Sequence, residues 1–309
     1  MDAPTDPHLP WRRRTVRGDG VDLAVLETGD LDAPVVVLVH GFPDTHRVWL
    51  AVAERLAPDL RVVLYDTRGQ GLSPTDAPDG AFGLPHLAAD LMAVVDDASP
   101  DRPVHLVGHD WGSVQAWEAV CEAGAVDRIA SFTSMSGPNL DHVAAWTRRT
   151  LRHPTPSGVA RLVGQGLASS YVPFLVSPLA PPVLRAVGRR EMVSGLRYYR
   201  GNVLASTLRP RVRRTSVPVL QLALTRDPAI RGAALAASEP WCDDLRRHQL
   251  PLGHWAPRTH PDAVADEVLA HVTAVEARRA DVPAGGAVSR SPAGRSRRAA
   301  AASRPGRAG

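Results

Sequence analysis

The sequence predicts an α/β fold, a mostly parallel sheet flanked by helices. Three observations carry this. Short, uniformly apolar runs recur along the chain, as in strands buried on both faces. One of them leads straight into Gly108-His-Asp-Trp-Gly-Ser113, which has the form of a sharp strand-to-helix turn. Between the later runs, residues 137–215 have a different texture, rich in proline, arginine and irregular apolar stretches.

The elements follow in chain order. Pro34-Val-Val-Val-Leu-Val39 reads as a central parallel strand and ends in His40-Gly41-Phe42-Pro43. Arg61-Val-Val-Leu-Tyr-Asp66 is a second strand, followed by Thr67-Arg-Gly-Gln-Gly-Leu-Ser73, read as a structural turn. Val104-His-Leu-Val107 is a third, and residues 113–123 read as the helix after the turn. Gly108 and Gly112 flank a bend where a Cβ would clash. Val217-Pro-Val-Leu-Gln-Leu-Ala-Leu224 is a later strand, with Asp227 three residues beyond it. Leu250-Pro-Leu-Gly253-His254-Trp255 places a histidine just past a short strand.

The residue at the apex of the bend is Asp110. A serine there would need a base before it could attack; a carboxylate is already ionised at neutral pH. Its attack on an sp3 carbon makes an alkyl ester. Hydrolysing that ester requires a histidine base and an oxyanion hole. Epoxides and alkyl halides carry such a carbon; ordinary esters and peptides do not present one for this chemistry. The amides of Phe42 and Trp111 are the expected oxyanion donors. Asp110, Asp227 and His254 fall in the order nucleophile, acid, histidine, which is that of the α/β-hydrolase fold.

On these motifs the chain resembles the α/β-hydrolase superfamily and, within it, the epoxide hydrolases, over residues of about 12–278. The aspartate narrows the resemblance to epoxide hydrolases and dehalogenases. It implies a helical cap over 137–215, core segments at 1–136 and 216–280, and two cap tyrosines that hold the epoxide oxygen. Three of the four tyrosines, Tyr171, Tyr198 and Tyr199, fall in that region, and Tyr65 lies beside a core strand. Tyr171-Val-Pro-Phe-Leu-Val-Ser-Pro178 is similar to the segment bearing the first tyrosine, and Tyr199-Arg200 to that bearing the second. A phenol suits this role because it stays protonated at rest and can donate to a developing alkoxide. The alternative is that they are aromatics that pack the lid, which for Tyr198 is the preferred reading.

Dehalogenation is the second reading. Haloalkane dehalogenases aim donors at a halide, and Trp111 could supply one. The usual asparagine partner is absent because position 42 is phenylalanine, and Trp146 is the only tryptophan in the cap segment. Fluoroacetate dehalogenases usually carry arginine after the nucleophile, where Trp111 stands here. A third reading is a non-catalytic binding protein on the same fold.

Other residues read as structural. His109 precedes the nucleophile and is expected to pack. His40 is expected to anchor a loop, and His260 to start the last helix. Asp66 lies before the nucleophile, and Asp243 and Asp244 come too late after their strand. Cys121 and Cys242 do not make a disulfide framework, and no cluster has metal-ligand spacing. No dinucleotide fingerprint follows a first strand, so neither cofactor nor metal is expected.

The 309 residues, 44% of them apolar, suit one α/β domain with a cap. The first residues are acidic and proline-rich, without the basic-then-apolar order of a signal peptide. No run reaches the roughly 18 apolar residues of a membrane span. A reducing, cytoplasmic setting is expected, and a homodimer is one assembly open to such a chain. The net charge of +4 comes from the end of the chain: 281–309 holds six arginines and one aspartate. That segment reads as disordered, and no nucleic-acid partner is expected. It resembles the point at which some bacterial epoxide hydrolases continue into a short-chain dehydrogenase domain. All 36 basic residues are arginine, which fits coding bias in a GC-rich bacterial genome.

Overall fold

Eight strands form one sheet in the computed structural model, which describes residues 10–189 and 192–281. In chain order they are β1 (Arg12–Arg17), β2 (Asp22–Thr28), β3 (Val35–Val39), β4 (Arg61–Tyr65), β5 (Val104–His109), β6 (Ile129–Met135), β7 (Val219–Leu224) and β8 (Leu245–Leu250). Their spatial order is β1-β2-β4-β3-β5-β6-β7-β8. The β1–β2 and β2–β4 pairs are antiparallel; the other five are parallel.

The apolar runs are uniform because both faces of the sheet are covered. Alternate residues serve opposite cores, as the period of two requires. Val35, Val37 and Val39 face α2 (Leu84–Ala98) and α3 (Trp111–Val120), packing with Leu91, Val94 and Trp117. Val36 and Leu38 face α1 (Leu50–Leu56) and α11 (Pro261–Ala280), packing with Val52, Leu56 and Val268. The helix after the bend starts at Trp111, two residues earlier than its sequence suggests, and ends at Val120. The Thr67–Ser73 turn is structural: the fully buried Arg68 guanidinium donates to both carboxylate oxygens of Asp90 on α2, at 2.6 and 2.7 Å.

Five helices stand between β6 and β7: α4 (Leu140–Arg152), α5 (Pro156–Ala168), α6 (Val172–Val176), α7 (Ala180–Ala186) and α8 (Met192–Leu208). Caps set their starts. The Asn139 side chain accepts from the amides of Asp141 and His142, and Thr155 from that of Gly158. Asn202 ties α8 to the core, accepting from the Leu84 amide at 2.7 Å and donating to the Phe82 carbonyl at 2.8 Å. The chain re-enters the core where Arg211 pairs with Glu118 and Asp141. Two short helices, α9 (Gly232–Ala236) and α10 (Ala256–Thr259), follow β7 and β8. Among the described residues, no helix is long and apolar enough to cross a membrane. Most of the arginine-rich end of the chain, 282–309, lies outside the described residues.

Candidate active site

β5 ends at His109 and α3 begins at Trp111, leaving Asp110 at the apex with φ 52° and ψ −125°. A non-glycine residue at positive φ is strained and persists only where its surroundings over-determine it. Here the Asp110 amide donates to the Met135 carbonyl, and its carbonyl accepts from Val114, both at 3.0 Å. The bend also needs Gly112, because a Cβ there would lie 2.1 Å from the Val39 carbonyl oxygen. The consequence is a carboxylate held just past the C-terminal end of the central strand β5, its side chain 14% exposed.

The loop after β3 supplies the facing donor. The Phe42 amide donates to Asp110 Oδ1 at 2.8 Å, and the Trp111 amide acts on the same carboxylate. Gly41 makes the approach possible: a Cβ there would stand 2.4 Å from that oxygen. Burial lifts the Asp110 pKa to about 6, against the pull of His254 and of the Trp111 and Phe42 amides. The group therefore remains mostly ionised at pH 7.

His254, four residues past β8, directs Nε2 toward Asp110 Oδ2 at 3.8 Å. Its Nδ1 sits 3.0 Å from Asp227 Oδ2, just past β7. Asp227 is also held by the Ser136 hydroxyl at 2.7 Å and by the amides of Ala229 and Ile230 at 2.8 and 3.2 Å. Burial would raise the Asp227 carboxyl, but the hydrogen bonds from His254, Ser136 and Ala229 hold it below its ordinary value. Burial would likewise lower the His254 imidazole. The Asp227 hydrogen bond and the charges of Asp110, Asp227 and Asp44 outweigh that and raise it.

Two residues here were not singled out from the sequence. Ser136, at φ 53°, reaches Asp227 from the end of β6. Asp44, just after the Phe42 loop, has a buried Oδ2 with no hydrogen-bond partner among the described residues. Burial and then the charge of Asp110 lift its pKa to about 6. Its position directly after His40-Gly41-Phe42-Pro43 was the only available signal.

The cap closes the site with phenols. Tyr199 on α8 is 6% exposed, edge-on to Trp111 and Phe42 with ring centroids 4.9 and 5.5 Å away. Tyr171, at the start of α6, meets Tyr199 edge-to-face with centroids 6.4 Å apart and is 38% exposed at the rim. Burial and the nearby Asp110 charge raise both phenols, Tyr171 to about 12, so both stay protonated. Asp110, Trp111, Tyr171 and Tyr199 line a cavity of about 420 Å³ whose other walls are mostly apolar, including Leu140, Val143 and Val172.

The remaining residues considered from sequence lie elsewhere. The Tyr198 hydroxyl donates to the Arg68 carbonyl at 2.5 Å and meets Thr67 at 3.0 Å, so it ties cap to core. Tyr65 is fully buried in β4. His40 Nε2 accepts from the Thr67 amide. His109 donates from Nε2 to the His254 carbonyl, and burial with the His254 charge pushes its pKa to about 3. Asp66 accepts from the His46 and Leu72 amides, and Asp244 pairs with Arg278. His260 is exposed at the start of α11, and Trp146 does not line the cavity. Both cysteines are free, and no metal-ligand cluster occurs among the described residues.

The profile of the α/β hydrolase fold family matches residues 34–261. The chain belongs to this family. EphD of Mycobacterium tuberculosis, named a probable oxidoreductase, is 36% identical to this α/β hydrolase over 280 residues, covering 81% of this chain and 47% of EphD. Epoxide hydrolase A of the same organism is 38% identical over 141 residues, covering 45% of this chain and 41% of that protein. The chain thus spans about half the length of the curated relatives it matches. Among solved structures, one from work on novel epoxide hydrolases in metagenomes from hot environments superimposes with a TM-score of 0.71 at 21% identity, covering 85% of this chain and 99% of that one. The Bacillus megaterium epoxide hydrolase with an inhibitor gives 0.68 at 18% identity, covering 84% and 100%. At such identities the likeness is one of fold.

Proposed function

We propose that this α/β hydrolase converts an epoxide to a vicinal diol through an ester on Asp110. The observation that carries the reading is the pairing of Asp110, across one largely apolar cavity, with the phenols of Tyr171 and Tyr199. In this mechanism Oδ2 attacks an epoxide carbon, the ring C–O bond breaks, and the released oxygen takes a proton from the phenols. His254, oriented by Asp227, then removes a proton from water, and the hydroxide adds to the ester carbonyl carbon. The oxyanion forms on Oδ1, where the Phe42 and Trp111 amides wait. Collapse breaks the ester C–O bond, the leaving alkoxide takes the proton held by His254 to complete the diol, and the proton left on the Asp110 carboxyl returns to the phenolate. No cofactor or metal has a part in this sequence.

Relatives named epoxide hydrolase support the substrate class. Dehalogenation has less support, because a halide leaves as a stable anion and has no use for two phenols. The free cysteines support a reducing, cytoplasmic setting. Incubation with a panel of small epoxides and haloalkanes, assayed for diol and for halide, tests the reading. Diol without halide is the expected result. Halide without diol would establish dehalogenation, and neither product from any substrate would favour the non-catalytic reading.

A further inference from the structure

The cap exposes an apolar surface that the core does not cover. Along α5, Val159, Val163 and Leu167 recur every four residues and are 41, 54 and 71% exposed. Across α7, Leu179, Val183 and Val187 repeat the spacing at 65, 44 and 64%. Four-residue spacing puts each set on one side of its helix. Phe174 on α6, which packs against α7 and α8, is 40% exposed. A helix of a water-soluble domain normally turns such a stripe inward.

The charge around this surface has one sign. Residues 137–215 hold 13 arginines and two acidic residues, whereas the rest of 1–280 holds 17 arginines and 29 acidic residues. No acidic residue occurs between His142 and Arg190. Arg149, Arg152, Arg161, Arg185 and Arg189 are exposed, with no carboxylate partner among the described residues. Leu151, 65% exposed, and Tyr171, 38% exposed, also line the cavity, so the cavity opens at the surface of the cap.

We propose that this face of the cap docks on an anionic lipid surface. The exposed apolar residues of α5, α6 and α7 enter the headgroup boundary, and the cap's excess of arginine, 13 against two acidic residues, draws it to the anionic lipid. An interfacial site suits helices that combine an exposed apolar stripe with arginine, since acyl chains take the first and anionic headgroups the second. A second copy of the same face would instead set like charges against each other. Docked this way, the cavity mouth faces the lipid and admits apolar molecules dissolved there. Only that last consequence rests on the epoxide reading.

Co-sedimentation of the full chain with vesicles tests the docking. Vesicles of phosphatidylcholine with phosphatidylglycerol should pellet the protein, and phosphatidylcholine alone should not. Val163→Asp with Leu167→Asp should abolish binding. Arg152→Gln with Arg161→Gln should weaken it by about fivefold per arginine, from ~1 kcal/mol per cation near such a surface. All four side chains are exposed and outside the cavity, so melting temperature and turnover of a water-soluble epoxide should not change. Equal binding by the aspartate variant would place the lipid contact elsewhere, for instance in 282–309, and overturn the proposal. So would failure to bind either vesicle, or a dimer in light scattering that the aspartate variant dissociates while vesicles are ignored. Vesicle binding by a protein that opens no epoxide would uphold the docking and remove only the function assigned above.

Discussion

The two carboxylate oxygens of Asp110 are separated in role by His254. Oδ2 faces the imidazole Nε2 at 3.8 Å, too far for a hydrogen bond, while Oδ1 is held by the Phe42 amide at 2.8 Å. In the proposed mechanism this leaves Oδ2 free to attack and places Oδ1 where the ester oxyanion would form. On that reading the histidine stands beside the ester without tying up Oδ2.

That separation predicts a trapped intermediate. His254→Gln keeps a side chain of similar reach but removes the base, so the ester should form and not hydrolyse. Intact-protein mass spectrometry should find a mass increase of one epoxide, mapped to Asp110. Asp110→Ala should show no adduct and less than about a thousandth of wild-type turnover. An adduct elsewhere, or rapid turnover by either variant, would contradict the division of labour.

The cap tyrosines predict a graded loss. Positioned acid catalysis is worth roughly 10²–10⁴-fold. Tyr171→Phe and Tyr199→Phe should each slow ring opening, and the pair should nearly abolish it with no ester accumulating. If, as proposed, the phenols share one oxygen, the single losses need not sum to the double loss. Tyr198→Phe should behave differently. It removes the donor to the buried Arg68 carbonyl, costing about 1 kcal/mol of stability while leaving the rate near wild type. Near-normal ring opening by the Tyr171/Tyr199 double variant would refute the assignment.

The pH dependence has a definite sign. In the proposed mechanism Asp110 attacks only as the carboxylate, and its pKa is raised to about 6. Single-turnover alkylation should therefore be level at pH 8 and fall tenfold per unit once the pH drops below about 6. An alkylation rate independent of pH between 5 and 8 would show that Asp110 is not the group titrating.

Asp44 should tune the second step. Its charge contributes to the raised pKa of His254, so Asp44→Asn should lower that pKa. A base with a lower pKa stays neutral to lower pH, so the acid limb of ester hydrolysis should move to lower pH in the variant. Pre-steady-state measurement of ester decay against pH would read the shift, and a limb that stays put would exclude a charge effect of Asp44 on His254.

Legibility in the sequence followed burial. β3, β4, β5 and β7 could be read because each is apolar on both faces. β1 could not, since its Arg12 and Arg14 reach Glu27 on β2, a partner that local periodicity cannot supply. β6 hides polar residues in a fully buried strand. Ser131 meets His105, and Ser134 meets Ser113 and Trp117, all from distant segments. β8, Leu245-Arg-Arg-His-Gln-Leu250, is polar between its two end leucines at the sheet edge, and only its end at Leu250 was anticipated. Ser136 and Asp44 escaped notice for the same reason, because their significance lies in neighbours far along the chain.

The amino-acid sequence by itself determined the aspartate at the bend, the glycines around it and the order Asp110, Asp227, His254. These depend on short-range backbone geometry and on strand ends that apolar runs mark. The resemblance singled out Tyr199 over Tyr198, but only tertiary packing shows why one phenol and not its neighbour faces Asp110. Tyr198 and Tyr199 are adjacent on α8, and neighbouring helical residues point about 100° apart. The seating of α8, fixed by Asn202 on the Phe82–Leu84 backbone and by Tyr198 on Arg68, turns one ring into the core and the other toward Asp110.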